Sequence, residues 1–225
     1  MMWGANPSPE KRMAEKIQEY RGKRIVIRFD PQKCIHSRHC VLDRAEVFQA
    51  NVPGAWITPD NASVEAVVAA VLTCPSGALT YEKLDGSEPE TAPPVNLVRI
   101  RENGPLAIHA DLRIDGMPPA LRATLCRCGA SKTKPWCDGS HNAAGFAATG
   151  EPATQPSEPL KSRNGPLEVK PTKDGSLEVT GNVELVTGTG RTINRTQKTW
   201  LCRCGQSQNK PYCDGTHSRI GFRSD

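Results

Sequence analysis

Apolar positions in the first part of the chain follow strand spacing in some segments and helix spacing in others. Ile25, Ile27 and Phe29 fall on one face of a predicted strand, whereas residues 64–72 repeat apolar side chains at helical spacing. The predicted elements are, in order, a strand at 25–29, a helix at 41–48, a strand at 55–58, a helix at 64–72 and a strand at 78–81. This order predicts a small α+β domain over residues 20–85.

The second predicted helix has recognisable ends. Asp60 or Asn61 precedes its first apolar residue, and either side chain can serve as the N-cap. Cys74 and Pro75 end it, because proline disfavours helical backbone in the residue before it. A Cys-Pro pair therefore lies where an amphipathic helix stops.

The rest of the chain holds two copies of one pattern. The segment Asn-Gly-Pro-Leu at 103–106 recurs at 164–167, an offset of 61, and Cys126 recurs as Cys202, an offset of 76. The difference of 15 predicts a longer segment between the turn and the first cysteine of the second copy. Short alternating apolar segments predict strands in both copies, as in a duplicated small module.

Linkers rich in proline separate these regions at 85–94 and 150–159. They delimit two β-rich modules, at 95–149 and 159–225. A low aromatic content of 5% together with 19 glycines and 19 prolines also indicates small modules with thin cores. Such modules need disulfide bonds or metals for stability.

The cysteines indicate metal binding rather than disulfide bonds. Their number, nine, excludes a fully paired disulfide framework. The segment 1–20 is polar and lacks the apolar core of a signal peptide, which predicts a reducing, cytoplasmic location. No apolar stretch has the length of a membrane span, and the net charge of +5 is spread along the chain rather than gathered in a basic stripe. We therefore expect neither a membrane nor a nucleic-acid partner.

Each copy carries three cysteines and one histidine in the pattern Cys-x-Cys-x8-Cys-x3-His. The candidate ligands are Cys126, Cys128, Cys137 and His141 in the first loop, and Cys202, Cys204, Cys213 and His217 in the second. A Cys-x-Cys pair on extended chain can hold one iron of a dinuclear cluster, with the third cysteine and the histidine on the other iron. Structural zinc prefers cysteine pairs separated by two to four residues, but zinc with three Cys and one His stays open on spacing alone.

Both loops resemble the CDGSH iron–sulfur family. Its pattern, Cys-x-Cys-x2-Ser/Thr-x3-Pro-x-Cys-Asp-Gly-Ser/Ala/Thr-His, is matched at every fixed position by residues 126–141 and 202–217. The resemblance implies a [2Fe–2S] cluster in each loop, held by the three cysteines and the histidine. Two motifs in one chain resemble the tandem branch of the family, in which the copies pack as an internal pseudo-dimer.

The histidine ligand determines the expected chemistry. A neutral imidazole in place of a thiolate leaves the cluster less negative and raises its reduction potential. A protonated imidazole cannot bind metal, so we expect the cluster to be lost as the pH falls. The loop cations Arg127, Arg203, Lys134 and Lys210 either offset cluster charge or lie in solvent.

Three further cysteines, Cys34, Cys40 and Cys74, lie in the N-terminal domain. Their arrangement resembles a divergent mono-cluster ferredoxin: the family pattern Cys-x2-Cys-x2-Cys plus a distant Cys-Pro is met, except that Ser37 replaces the second cysteine. Three thiolates suffice for a [3Fe–4S] cluster. A [4Fe–4S] cluster needs a fourth ligand from Ser37, His36, His39 or solvent, and buried free thiols without a cluster are the remaining alternative.

The predicted architecture is thus α+β, with a ferredoxin-like domain followed by two CDGSH modules packed as a pseudo-dimer. No nucleotide loop or nucleophile–base set indicates an enzyme. We expect a monomeric electron-transfer protein with two [2Fe–2S] clusters and a [3Fe–4S] or [4Fe–4S] cluster, which exchanges electrons with a partner oxidoreductase. The alternative is a cluster donor or store, or a redox and pH sensor, whose partner is a cluster-acceptor protein.

Overall fold

The computed structural model describes residues 17–224, which form an α+β fold in two units, 17–90 and 91–224. Residues 1–16 and residue 225 lie outside the described part. Residues 1–16 make up most of the segment 1–20, which was predicted not to be a signal peptide, and residue 225 is the last residue of the predicted second module.

The first unit is built on a three-stranded antiparallel sheet. Its strands are β1 (Gln18–Arg21), β2 (Ile25–Phe29) and β3 (Leu79–Lys83), with β2 in the centre. Strand β2 and the last strand occur where the apolar pattern predicts them. Strand β1 was not predicted, because it is a largely exposed edge strand, Gln-Glu-Tyr-Arg, without apolar alternation.

Between these strands the chain forms two helices, α1 (His39–Asp43) and α2 (Val64–Leu72). The helix predicted at 41–48 was too long, since Arg44 leaves the helical backbone region with φ −138°. Phe48 instead forms an isolated antiparallel bridge with Ile57, and this bridge is all that exists of the strand predicted at 55–58.

The predicted N-cap of α2 was wrong. Ser63 is the N-cap, and its side chain accepts a hydrogen bond from the backbone N–H of Ala66 (3.3 Å). Asp60 and Asn61 lie one turn earlier in a 3₁₀ helix. There Asp60 accepts a hydrogen bond from the backbone N–H of Lys23 (2.8 Å), so its carboxylate serves a distant part of the unit.

Removing this cap has a local, measurable effect. We expect Ser63→Ala to destabilise the first turn of α2 by about 1 kcal/mol, which raises amide hydrogen exchange over residues 64–72 about fivefold. Exchange mass spectrometry of the full-length protein measures this change. Ser63→Asp retains a good N-cap and is the matched control, so equal exchange in the Ala and Asp variants contradicts the capping role.

The core of the first unit lies between the sheet and α2. Trp56 packs edge-on against Phe29, with ring centroids 4.9 Å apart, and closes one side of this core. Three partly or fully buried cysteines pack against the same core: Cys34, Cys40 and Cys74.

The second unit is one six-stranded sheet. Its strands are β4 (Leu97–Ile100), β5 (Leu106–Ile114), β6 (Ala120–Leu125), β7 (Pro166–Pro171), β8 (Leu177–Val186) and β9 (Thr192–Leu201). Strands β4, β5 and β6 belong to the first copy of the repeat, and β7, β8 and β9 to the second. Within each copy the consecutive strands pair antiparallel.

The two copies exchange their first strands. Strand β4 runs parallel to β8, with Val98 opposite Leu185, and β7 runs parallel to β5, with Leu167 opposite Leu112. All four of these side chains are completely buried in one hydrophobic cluster that contains residues of both copies. The copies therefore share a sheet and a core.

The predicted repeat register was wrong. The partner of the turn at Asn103 is Asp174, an offset of 71, and not the second Asn-Gly-Pro-Leu segment. Asn103 and Asp174 have the same left-handed backbone, with φ 48° and 50°, and each turn leads into the second strand of its copy. Segment 164–167 leads into β7 instead. Asn-Gly-Pro is a general turn signal, so its recurrence does not identify equivalent turns.

Each copy ends in the loop that carries its candidate metal ligands, called the metal loop (residues 126–141 or 202–217). The end of each loop enters a single helical turn, α3 (Ser140–Ala143) or α4 (Thr216–Arg219). Within residues 17–224, no helix combines the length and the apolar character that crossing a membrane requires.

Candidate metal centres

The last strand of each copy positions its metal loop. The first loop begins where β6 ends: Cys126 donates a backbone hydrogen bond to Pro135 (2.8 Å), and Cys137 donates one to Thr124 (2.9 Å). The second loop repeats both bonds, from Cys202 to Pro211 (2.8 Å) and from Cys213 to Trp200 (2.9 Å). The chain thus folds back on the end of the strand and brings the third cysteine beside the first two.

The four predicted ligands of each loop lie in two pairs. In the first loop the Sγ atoms of Cys126 and Cys128 are 3.7 Å apart, and Cys137 Sγ is 3.4 Å from Nδ1 of His141. The corresponding distances in the second loop are 3.8 Å for Cys202 and Cys204, and 3.3 Å for Cys213 and His217. The structure therefore brings each predicted pair together and presents the Nδ1 atom of each histidine.

These distances fit pairs of ligands on tetrahedral metal ions. With metal–sulfur bonds of about 2.3 Å and metal–nitrogen bonds of about 2.0 Å, two sulfurs on one ion are about 3.8 Å apart, and a sulfur and a nitrogen about 3.5 Å. Three thiols and one imidazole in each loop are a donor set that fits an iron–sulfur centre.

An aspartate holds each histidine-bearing turn in place. Asp138 accepts backbone hydrogen bonds from Lys132 (2.9 Å) and Ser140 (2.9 Å), which joins the middle of the loop to the first turn of α3. The bonds of Asp214 with Gln208 (2.8 Å) and Thr216 (3.0 Å) are equivalent. Burial raises the pKa of Asp138, but its N–H donors together outweigh burial, so the pKa of Asp138, like that of Asp214, is lowered and the charged, accepting form is favoured.

A glycine occupies the N-cap of each of these turns. Gly139 has φ 87° and Gly215 has φ 80°, backbone conformations that favour glycine, and the histidine follows two residues later. His141 and His217 are both half-buried. Burial lowers the pKa of His141, which keeps the imidazole neutral and able to bind metal.

Neighbouring thiols influence each other's ionisation. A hydrogen bond from the Cys128 thiol lowers the pKa of Cys126 to about 6, and the thiolate formed raises the pKa of Cys128. In the second loop, burial raises the pKa of Cys202 to about 11. A bound metal replaces these protons, because thiolate is the metal-binding form.

The arginine inside each Cys-x-Cys pair is buried, so the solvent-exposed role considered from the sequence is wrong for both. Arg127 is 1% exposed and donates to the carbonyls of Gly104 (3.0 Å), Arg101 (2.6 Å) and Ala148 (3.1 Å). Arg203 is 3% exposed and donates to Gly175 (2.9 Å) and to Thr172. Phe146 and Phe222 lie against the two guanidinium groups at 5.4 and 5.6 Å.

The arginines also act across the two copies. Burial lowers the pKa of Arg127 to about 10, and the negative charge that Cys202 of the other loop carries as a thiolate opposes this shift. Arg203 is related in the same way to Cys126. Each positive charge therefore lies in the field of a ligand of the other site. The sequence signal for this role was the identical Cys-Arg-Cys in both loops.

The two loops touch through their backbones. A Cβ atom added to Gly129 would be 2.5 Å from the carbonyl oxygen of Cys204, and one added to Gly205 would meet the carbonyl oxygen of Cys128. In addition, Lys134 of the first copy lies 6.0 Å from the ring centroid of Phe222 of the second. The metal loops therefore pack against each other reciprocally, each glycine beside a cysteine of the other loop.

The three N-terminal cysteines line one cavity of about 590 Å³. Cys74 is 8% exposed, and its Sγ is 3.7 Å from the Ser76 hydroxyl. Burial raises the pKa of Cys40, with a smaller contribution from the nearby Cys74. Of the predicted fourth ligands, His36 and Ser37 line the cavity, whereas His39 does not.

Comparison with known proteins places the chain among iron-binding families. The family model described as an iron-binding zinc finger of CDGSH type matches residues 103–142 and 174–218. CDGSH iron-sulfur domain-containing protein 1 of Rattus norvegicus is 37% identical over 78 residues, 35% of this chain and 68% of the rat protein. The chain belongs to the CDGSH iron–sulfur family.

A second family model, for a divergent 4Fe-4S mono-cluster, matches residues 20–84 of this CDGSH protein. The uncharacterized protein YjdI of Escherichia coli (strain K12) is 40% identical over 62 residues, 28% of this chain and 80% of YjdI. CDGSH iron-sulfur domain-containing protein 1 of Mus musculus is 37% identical over 78 residues, 35% of this chain and 68% of the mouse protein.

The matched segments contain every candidate ligand of this CDGSH protein. Both loops lie within the CDGSH segments, and the three N-terminal cysteines lie within the mono-cluster segment. The CDGSH segments begin at Asn103 and Asp174, the two turns that supply carbonyl acceptors to the buried arginines. The sequence match and the structure therefore agree on the register of the repeat.

Proposed function

We propose that this protein is an electron carrier and not an enzyme. It holds a [2Fe–2S] cluster in each CDGSH loop and a third, [3Fe–4S] or [4Fe–4S], cluster in the N-terminal unit, and it exchanges electrons with a partner oxidoreductase. The observation that carries the proposal is the pairing of ligands in each loop, two sulfurs at 3.7 or 3.8 Å and a sulfur and a nitrogen at 3.4 or 3.3 Å.

The ligand set suits one-electron transfer. Iron–sulfur clusters accept and release single electrons, and an imidazole ligand raises the reduction potential above that of an all-thiolate [2Fe–2S] cluster. The buried Arg127 and Arg203 act in the same direction, because a nearby positive charge stabilises the reduced, more negative cluster. Both loops are fixed to strand ends of one sheet, which keeps reorganisation on electron transfer small.

The reciprocal contacts support an internal pseudo-dimer. Gly129 beside Cys204, Gly205 beside Cys128 and the exchanged parallel strands obey one approximate two-fold relation between the copies. A chain that supplies both halves of this arrangement needs no second copy, so we propose that it acts as a monomer. The contacts of Gly129 with Cys204 and of Gly205 with Cys128 give electrons a route between the two centres, because each glycine directly follows a cysteine ligand of its own loop.

Cluster donation or sensing is the second candidate function. It is favoured by the histidines on the single-turn helices, which are only half-buried and so remain accessible to solvent protons. Loss of the imidazole bond on protonation would open one iron to an acceptor protein.

Two measurements separate these functions. Protein purified anaerobically is first quantified for iron and sulfide and studied by low-temperature EPR; about seven or eight irons per chain support three clusters. Reduced protein is then mixed with ferricytochrome c and, separately, oxidised protein with an apo-ferredoxin. Rapid oxidation with full retention of iron supports carriage, whereas transfer of iron to the apo-ferredoxin supports donation.

The variant Cys34→Ala tests the N-terminal cluster by itself. We expect it to lose about three or four irons per chain and one EPR signal, while the two CDGSH signals stay unchanged. About four irons in wild type, with no change on this substitution, would restrict the clusters to the paired loops.

A further inference from the structure

We propose that Ser37 is the fourth protein ligand of the N-terminal cluster, which is therefore a [4Fe–4S] cluster with three thiolate ligands and one serine oxygen. This inference rests on the proposed presence of a cluster in the N-terminal unit. It concerns only which side chain binds the fourth iron of that cluster.

The first argument is position. Cys34, Ser37 and Cys40 are spaced three residues apart, and all three line the cavity that also contains Cys74. A ferredoxin loop with this spacing directs each of the three side chains toward the cluster. Ser37 thus has the position of a ligand in the sequence and also faces the right cavity.

The second argument is the backbone on either side of Ser37. His36 has φ 54° and Arg38 has φ 65°, so two non-glycine residues adopt the left-handed conformation within three positions. Such residues are uncommon, and their strain is retained mainly where function requires a particular shape. Here the two left-handed residues turn the chain on both sides of one serine at the wall of a cavity lined by cysteines.

The third argument is exposure. Ser37 is half-buried beside the half-buried Cys34 and Cys40, whereas His36 is exposed, and His39 does not line the cavity. His36 lines the cavity but is exposed, and His39 is half-buried but does not line the cavity, so only Ser37 among the three is both half-buried and at the cavity wall. On binding iron, the hydroxyl releases one proton to solvent and its oxygen becomes the anionic ligand.

The experiment uses full-length protein enriched in ⁵⁷Fe under anaerobic conditions. Wild type is compared with Ser37→Ala, Ser37→Cys and the matched control His36→Ala. Mössbauer spectroscopy resolves the oxygen-bound iron from thiolate-bound irons, and EPR distinguishes a reduced [4Fe–4S] from an oxidised [3Fe–4S] cluster. The unchanged CDGSH signals report in every sample that the second unit is folded, and the irons retained in Ser37→Cys report that the first unit tolerates substitution at this position.

We expect about eight irons per chain in wild type, Ser37→Cys and His36→Ala, and about seven in Ser37→Ala, which gains an oxidised [3Fe–4S] signal. In Ser37→Cys the oxygen-bound iron site should disappear while four irons remain. If Ser37→Ala retains four N-terminal irons, the assignment is overturned in favour of solvent as the fourth ligand. If His36→Ala loses iron, it is overturned in favour of histidine. If wild type holds only about seven irons, the N-terminal cluster has three irons. If wild type and Cys34→Ala both hold about four irons, the N-terminal cluster itself is refuted.

Discussion

At about pH 5, His141→Cys is expected to lose iron from the first loop about tenfold more slowly than wild type. Only neutral imidazole binds iron, and below its ordinary pKa of about 6.5 the neutral fraction falls tenfold per pH unit. Burial lowers the pKa of His141, so the site favours the neutral form. The stability that the neutral imidazole contributes is present above about pH 6.5 and is lost as the pH falls below that value.

A thiolate in place of the imidazole changes two measurable properties. Loss of visible absorbance after a jump to acid pH gives the rate of cluster release. Potentiometric titration should show a potential lower by on the order of 100 mV in the variant loop, because the extra negative charge destabilises the reduced cluster. His217→Cys should show the same effects in the second loop.

The variant also supplies its own control. Only the altered loop should become acid-resistant, while the other loop keeps the wild-type rate. His109→Gln, in the middle of β5 and outside both loops, should leave both rates unchanged. Equal rates of acid loss in His141→Cys and wild type would exclude imidazole protonation as the step that releases the cluster.

Short-range features of the site follow from the sequence, because neighbouring residues determine them. The spacing Cys-x-Cys on extended chain places two sulfurs on one side, and the Asp-Gly turn brings His141 back to Cys137. The apolar spacing likewise indicates β2, the last strand of the N-terminal sheet and α2. These elements depend on contacts over a few residues, which a single sequence displays.

Long-range features could not be predicted in the same way. Arg127 is buried because its acceptors, the carbonyls of Gly104 and Ala148, come from residues more than twenty positions away. The parallel pairings β4–β8 and β5–β7 leave no local pattern, since parallel neighbours are distant in the sequence. The turn at Asp174 could not be predicted for the same reason. It supplies a carbonyl to Arg203, a residue distant in the sequence, whereas the segment 164–167 is the closer sequence match to 103–106.

Because the two loops are in contact, we expect a substitution in one loop to destabilise the cluster of the other. Gly129 has φ 83°, and the Cβ of alanine there would lie 2.5 Å from the carbonyl oxygen of Cys204, far inside van der Waals contact. We expect Gly129→Ala to lower Tm by about 6–12 °C, the effect of about 3 kcal/mol in a domain of this size. Neither backbone can move away without displacing a ligand.

Gly116→Ala is the matched control. Gly116 has φ 74° but no atom within 4 Å of an added Cβ, so alanine there carries the conformational strain without the clash. That strain of about 1 kcal/mol should lower Tm by about 2–4 °C. The difference between the two variants isolates the contact between the loops.

The decisive measurement is the rate of iron loss from each cluster, which shows which of the two becomes labile. In a His141→Cys background the first cluster is acid-resistant, so loss of absorbance after an acid jump reports the second cluster alone. We expect Gly129→Ala in that background to accelerate iron loss from the second loop, because Cys204 belongs to it, even though the substitution lies in the first. Gly205→Ala in a His217→Cys background should labilise the first loop through Cys128. If each substitution weakens only its own loop, or if Gly129→Ala behaves as Gly116→Ala does, the contact between the loops does not couple the stabilities of the two clusters.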